Sequence, residues 1–147
     1  MPDLIERLET EVLVDHGTFD LIDDSGDQHA GPDPASWLQA GRNMITVVSA
    51  STRHHVAAVT VEAWSAEPPP ADGWGDPEEA KVLLDSGWLE INPLVDAEDA
   101  DDITVGAAGA YRVRAYVTGR AELLASTPAP DVELRGVERY LLQFWPE

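Results

Sequence analysis

The chain contains no cysteine, which removes disulfides, thiolate metal sites and cysteine nucleophiles from consideration. Lysine is almost absent as well: Lys81 stands alone against eight arginines. No apolar run approaches the ~20 residues a helix needs to cross a bilayer. The opening Met1-Pro2-Asp3-Leu4-Ile5-Glu6 has no basic region ahead of an apolar stretch, so it does not read as a signal peptide. No phosphate-binding loop is present, because Gly106-Ala-Ala-Gly109 lacks both the glycine spacing and the following Lys-Ser/Thr. These absences lead us to expect a soluble cytoplasmic protein without membrane contact.

Catalytic and metal constellations are equally scarce. The histidines are His16, His29, His54 and His55, with no His-x-His or His-x-x-x-His spacing. Neighbouring residues on a strand point to opposite faces, so His54 and His55 cannot clamp one ion from a strand, and neither metal nor cofactor is expected. Asp24-Ser25-Gly26-Asp27 brushes against serine-hydrolase patterns but has no strand–Ser–helix elbow around it, and a polar turn explains it. No nucleophile–base pair can be assembled from spacing, which points away from an enzyme.

What the chain has in excess is acid. Its 147 residues carry a formal net charge of −19. The length fits one domain, 1–147, able to bury a full core. Residues 62–102 hold thirteen acids and one base, and residues 1–34 hold ten acids and one base. Residues 103–120 carry Arg112, Arg114 and Arg120 with no acid at all. Such a charge argues against direct nucleic-acid binding, because phosphates need cationic partners. It permits the opposite role, a negative surface that attracts a basic protein. The preference for arginine over lysine, with abundant Ala, Val and Asp, reads as a GC-rich bacterial source.

Period-two alternation dominates the apolar pattern. Glu11–Val14 and Thr18–Ile22 flank Asp15-His16-Gly17 and read as a hairpin, with Phe19 and Leu21 inward and Asp20 outward. Pro34–Gly41 reads as a short helix or turn with Trp37 and Leu38 as its apolar contacts. Met44–Ser49 and Val56–Trp64 read as strands, and Glu67-Pro-Pro-Pro70 ends the second because proline donates no ladder bond. Residues 77–85 fit either a capped helix or a strand. We favour a hairpin turning at Asp85-Ser86-Gly87 into Trp88–Ile91. Ala110–Thr118 and Val137–Trp145 complete the set, and the last strand, apolar on both faces, is expected at the centre of its sheet. The expected fold is all-β: an antiparallel β-sandwich of about seven or eight strands with long acidic loops and at most one or two short helices.

Three groups of residues are candidates for function. The acidic loops offer Asp23, Asp24 and Asp27, and then Asp96, Glu98, Asp99, Asp101 and Asp102, as a surface for a basic partner. The second loop could instead hold calcium, although it is not an EF-hand: Asp101 stands where glycine belongs and Ala107 where glutamate belongs. Trp74, between Gly73 and Gly75, suits a binding anchor or equally a plug for the open end of the sandwich. Arg112 and Arg114 project from one strand face, with Arg120 following and Arg135 and Arg139 near the last strand. They form either an anion pocket or cross-strand ion pairs with Glu133, Glu138 or Glu62.

The segment Gly109-Ala-Tyr-Arg-Val-Arg-Ala-Tyr-Val-Thr-Gly-Arg120, followed by Glu138-Arg-Tyr-Leu-Leu-Gln-Phe-Trp-Pro146, resembles the closing third of small acidic bacterial β proteins of the competence protein J type. The known member of that family inhibits a DNA-entry nuclease. The resemblance lies in strand order and implies an inhibitor or immunity-type role for the whole chain; it assigns no individual residue. The reading that emerges is a non-catalytic protein-binding module, with a small-ligand or calcium-binding sandwich as the alternative.

Overall fold

The computed structural model describes residues 2–14, 16–29, 36–91, 101–125 and 134–147. In chain order these form β1 (Leu4–Val14), β2 (Thr18–Ile22), β3 (Leu38–Ala40), β4 (Met44–Val48), β5 (His55–Trp64), β6 (Glu78–Leu84), β7 (Trp88–Ile91), β8 (Asp101–Thr104), β9 (Gly109–Thr118), α1 (Arg120–Ala125) and β10 (Arg135–Pro146). Two five-stranded sheets pack face to face, one in the order β1-β5-β10-β9-β6 and the other β3-β4-β2-β7-β8. The all-β sandwich expected from alternation is therefore what the chain forms. No helix among the described residues is long and apolar enough to cross a membrane.

The inward faces follow the period-two pattern. Val59, Val61 and Ala63 of β5 meet Phe19 and Leu21 of β2, Ile45 and Val47 of β4, and Leu142 and Phe144 of β10 in one core. Every position in that group is at least nine-tenths buried, and each large aliphatic or aromatic side chain contributes about 1.5–3 kcal/mol. β10 is the middle strand of its sheet, as its two apolar faces require.

Four local expectations are corrected. First, β1 and β2 do not form a hairpin: β1 pairs with β5 in one sheet and β2 with β4 and β7 in the other. His16 and Gly17, at φ 55° and 82°, make a corner that carries the chain between layers. Second, residues 78–84 and 88–91 are strands, yet they too belong to different sheets, β6 pairing with β9 and β7 with β8. Alternation reports that one face is buried; it does not report which neighbour completes the ladder. Third, Leu38–Ala40 is an edge strand on β4 rather than a helix or turn, with Leu38 buried opposite Val47. Fourth, β10 runs parallel to β5, so the sheet containing it is mixed rather than wholly antiparallel.

Candidate interaction surface

The outer face of the β1-β5-β10-β9-β6 sheet carries an ordered polar row. Register places Arg7, Glu62, Gln143, Arg114 and Glu79 side by side across β1, β5, β10, β9 and β6. Gln143 Nε2 donates to Glu62 Oε1 at 3.1 Å, and Trp64 Nε1 donates to the same oxygen at 3.0 Å. Arg7 approaches Glu62 from the edge at 3.6 Å. Arg114 stacks over the Trp145 ring at 5.0 Å, donates to the Pro68 carbonyl at 3.0 Å and pairs with Glu67 at 3.3 Å.

These bonds fasten the proline-rich segment 65–77 across the sheet as a strap. A second tether is the Tyr116 hydroxyl, which accepts from the Ala71 backbone at 3.1 Å. Trp74 rides on this strap and meets Tyr116 at 6.3 Å, so it is half-buried against the sheet face. Strand alternation places Arg112, Arg114 and Arg139 on that same face, but they do not converge. Arg139 pairs with Thr118 while Gln143 faces Arg114, so four residues of β10, roughly 13 Å, separate the two arginines. Arg112 lies 3.9 Å from Glu79. Ion pairing of Arg112 and Arg114 thus occurs, with Glu79 and Glu67 as partners, and Arg139 stands apart.

The acidic candidates also divide. Asp23 is fully buried and accepts from Ser25 N and Oγ, Ser86 N and Oγ, and Gly87 N at 2.5–3.1 Å. Burial alone would raise its pKa; those bonds outweigh it and hold the carboxyl below the ordinary value. Asp23 is a clasp between the β2 exit and the β6–β7 corner, turned away from any partner. Gly87 sits in that corner at φ 84°, where a side chain would run into the Gly106 carbonyl. Asn43, also buried, closes the same region by bonding Asp85 and the Asp27 carbonyl. Asp24 and Asp27 are exposed beside this clasp. Asp101 and Asp102 are exposed on β8, where Thr10 Oγ1 of β1 donates to the Asp101 carboxylate. The far end of β8 reaches the clasped corner through Val105 N and Gly87 O, so the two acidic groups lie about one short strand apart, roughly 13 Å. Asp96, Glu98 and Asp99, and with them most of the calcium alternative, lie outside the described residues.

The sequence reading missed a buried polar cluster. Ser49 Oγ lies 2.9 Å from His55 Nε2, and Glu138 Oε1 lies 3.8 Å from the same nitrogen. Tyr140 donates to Glu138 Oε1 at 2.5 Å, and Ala50 N donates to Oε2 at 3.0 Å. A hydrolase triad needs the acid on the ring nitrogen opposite the serine; here both partners crowd Nε2. Ser49, His55 and Glu138 are at most 7% exposed, out of reach of a substrate. Burial lowers the His55 pKa against the pull of Glu138, so the ring is kept neutral as a packing element. The signal for this cluster was weak: the second of two adjacent histidines at a strand start and a Glu two residues before a Tyr.

No protein-family model matches the chain, and no curated protein matches it. Two solved structures do. ComJ from Bacillus subtilis, an inhibitor of the DNA-degrading activity of NucA, superposes with a TM-score of 0.59 over 100% of this chain and 99% of its own, at 11% identity. The chain has the ComJ-type fold. A second protein of this fold, the product of crocagin biosynthetic gene J, superposes with a TM-score of 0.60 at 15% identity, over 97% of this chain and 99% of its own. The ComJ-type fold thus spans the chain from end to end, in agreement with the family resemblance of its closing third.

Proposed function

We propose that this protein is a non-catalytic binding module of the inhibitor type, which presents acidic side chains to a basic protein partner such as a nuclease. The observation that carries this reading is the end-to-end likeness to ComJ, which inhibits NucA. Charge supports it: at −19 the surface field draws in a cationic partner and speeds its encounter. Asp24, Asp27, Asp101 and Asp102 are exposed and able to take part, as are Glu6, Glu9 and Glu11 along the β1 edge. The burial of Ser49, His55 and Glu138 fits a role without catalysis, because that serine–histidine contact is sealed in the interior.

The test is capture followed by inhibition. Immobilised protein should retain a nuclease from its source lysate at low salt and release it at high salt. DNA degradation by that nuclease should fall in proportion to added protein. Retention that ignores salt, or a captured nuclease whose activity is unaffected, overturns the reading.

A further inference from the structure

We propose that the groove beside Trp74 is a binding site for a carboxylate carried next to an aromatic ring. The groove lies on the outer face of the β1-β5-β10-β9-β6 sheet, encloses about 250 Å³, and is lined by Arg7, Glu9, Ala58, Thr60, Trp74 and Arg139. Its origin is in the sequence. Ala58 and Thr60 are small, and register sets Ala58 between Glu11 of β1 and Arg139 of β10, so a dent opens between taller neighbours. The strap supplies the wall: Gly73 and Gly75, at φ 85° and 84°, let the chain turn sharply around Trp74, whose indole rests partly on Tyr116.

Among the described residues Arg53 and Arg139 are the exposed arginines that pair with no carboxylate, and of the two Arg139 alone lines this groove. Arg7, Arg42, Arg112, Arg114 and Arg135 each lie within 4.0 Å of a carboxylate. Arg139 is exposed and makes no ion pair or side-chain hydrogen bond with any described residue. A guanidinium fork matches a carboxylate through two parallel N–H···O bonds. An indole face takes an aromatic ring by offset or edge contact. The carboxylate that shares the groove, Glu9, is held by Arg7 at 2.8 Å, so its charge is partly answered within the protein. The volume is below the ~300–1,000 Å³ of pockets for drug-sized ligands and suits a single ring with its acid group. That group can be a free aromatic acid or the C-terminal aromatic residue of a chain. The site is independent of whether the acidic surface meets a basic partner.

The test uses N-acetyl-phenylalanine, its amide, and the peptide acetyl-Gly-Ser-Gly-Ser-Phe with a free carboxylate, titrated into the whole protein. The readout is the NMR signal of the Trp74 indole N–H, assigned by its loss in Trp74→Leu. The acid should shift that signal saturably, and the amide should bind about tenfold or more weakly, the size of one charge-assisted hydrogen bond. Arg139→Gln should weaken the acid by a similar factor and leave the amide unchanged. Both substitutions are on exposed or half-exposed positions, and unchanged circular dichroism confirms the fold. Tighter binding of the peptide assigns the ligand to a chain end; tighter binding of the free acid assigns it to a small molecule. Equal binding of acid and amide, insensitivity to Arg139→Gln, or no shift at all overturns the proposal.

Discussion

Two ends of one sheet face treat the same residue type in opposite ways. At one end Arg114 is buried, stacked on Trp145 and spent on the strap. At the other, Arg139 reaches solvent beside Trp74 with no described partner. The contrast recurs within one loop, where Asp23 is closed inside a turn and Asp24 faces outward. A charged group with all its bonds made holds the fold together; one with bonds to spare is available to another molecule.

Substitutions sharpen that contrast, beginning with the largest effect. Asp23→Ala strands the buried Gly87 N–H and leaves the Ser86 donors without their acceptor, and should cost about 3 kcal/mol in urea unfolding. Because its folded pKa is depressed, this contribution is complete above the unfolded value of about 3.9 and is lost as pH falls through the lower folded value. The gap between the two proteins should therefore narrow in acid. Arg114→Ala removes the bond to Pro68 and the cover over Trp145, for about 2 kcal/mol, and should speed proteolytic nicking of 65–77. Tyr116→Phe loses only the tether to Ala71, about 1 kcal/mol. Arg139→Gln and Asp24→Ala should leave the urea midpoint unmoved. A large loss at either exposed position, or none at Asp23, would break the comparison.

The sequence made the layered β architecture legible because apolar and polar residues alternate along β5 and β9, while β10, apolar on both faces, was placed centrally. It misassigned both corners. His16-Gly17 and Asp85-Ser86-Gly87 have turn chemistry, yet a turn between strands of one sheet and a corner between sheets draw on the same residues. The parallel pairing of β5 with β10 is invisible locally, since it joins segments about eighty positions apart. The site was legible as parts only. Trp74 and Arg139 were both singled out, but their meeting depends on the strap lying over the face and on the register of β10 against β5. Asp23 looked like its neighbours Asp24 and Asp27, because the donors that capture it come from Ser86 and Gly87.

The placement of β10 bears on how the molecule assembles. β10 follows β5 and β9 in the chain and is wedged between them, and until it arrives those two have no common neighbour. Its contacts with β5 close a long loop, an entropic toll that delays such topologies. During synthesis β1 and β5 can pair early, as can β6 and β9, giving two half-sheets that wait for the final ribbon to zip them into one.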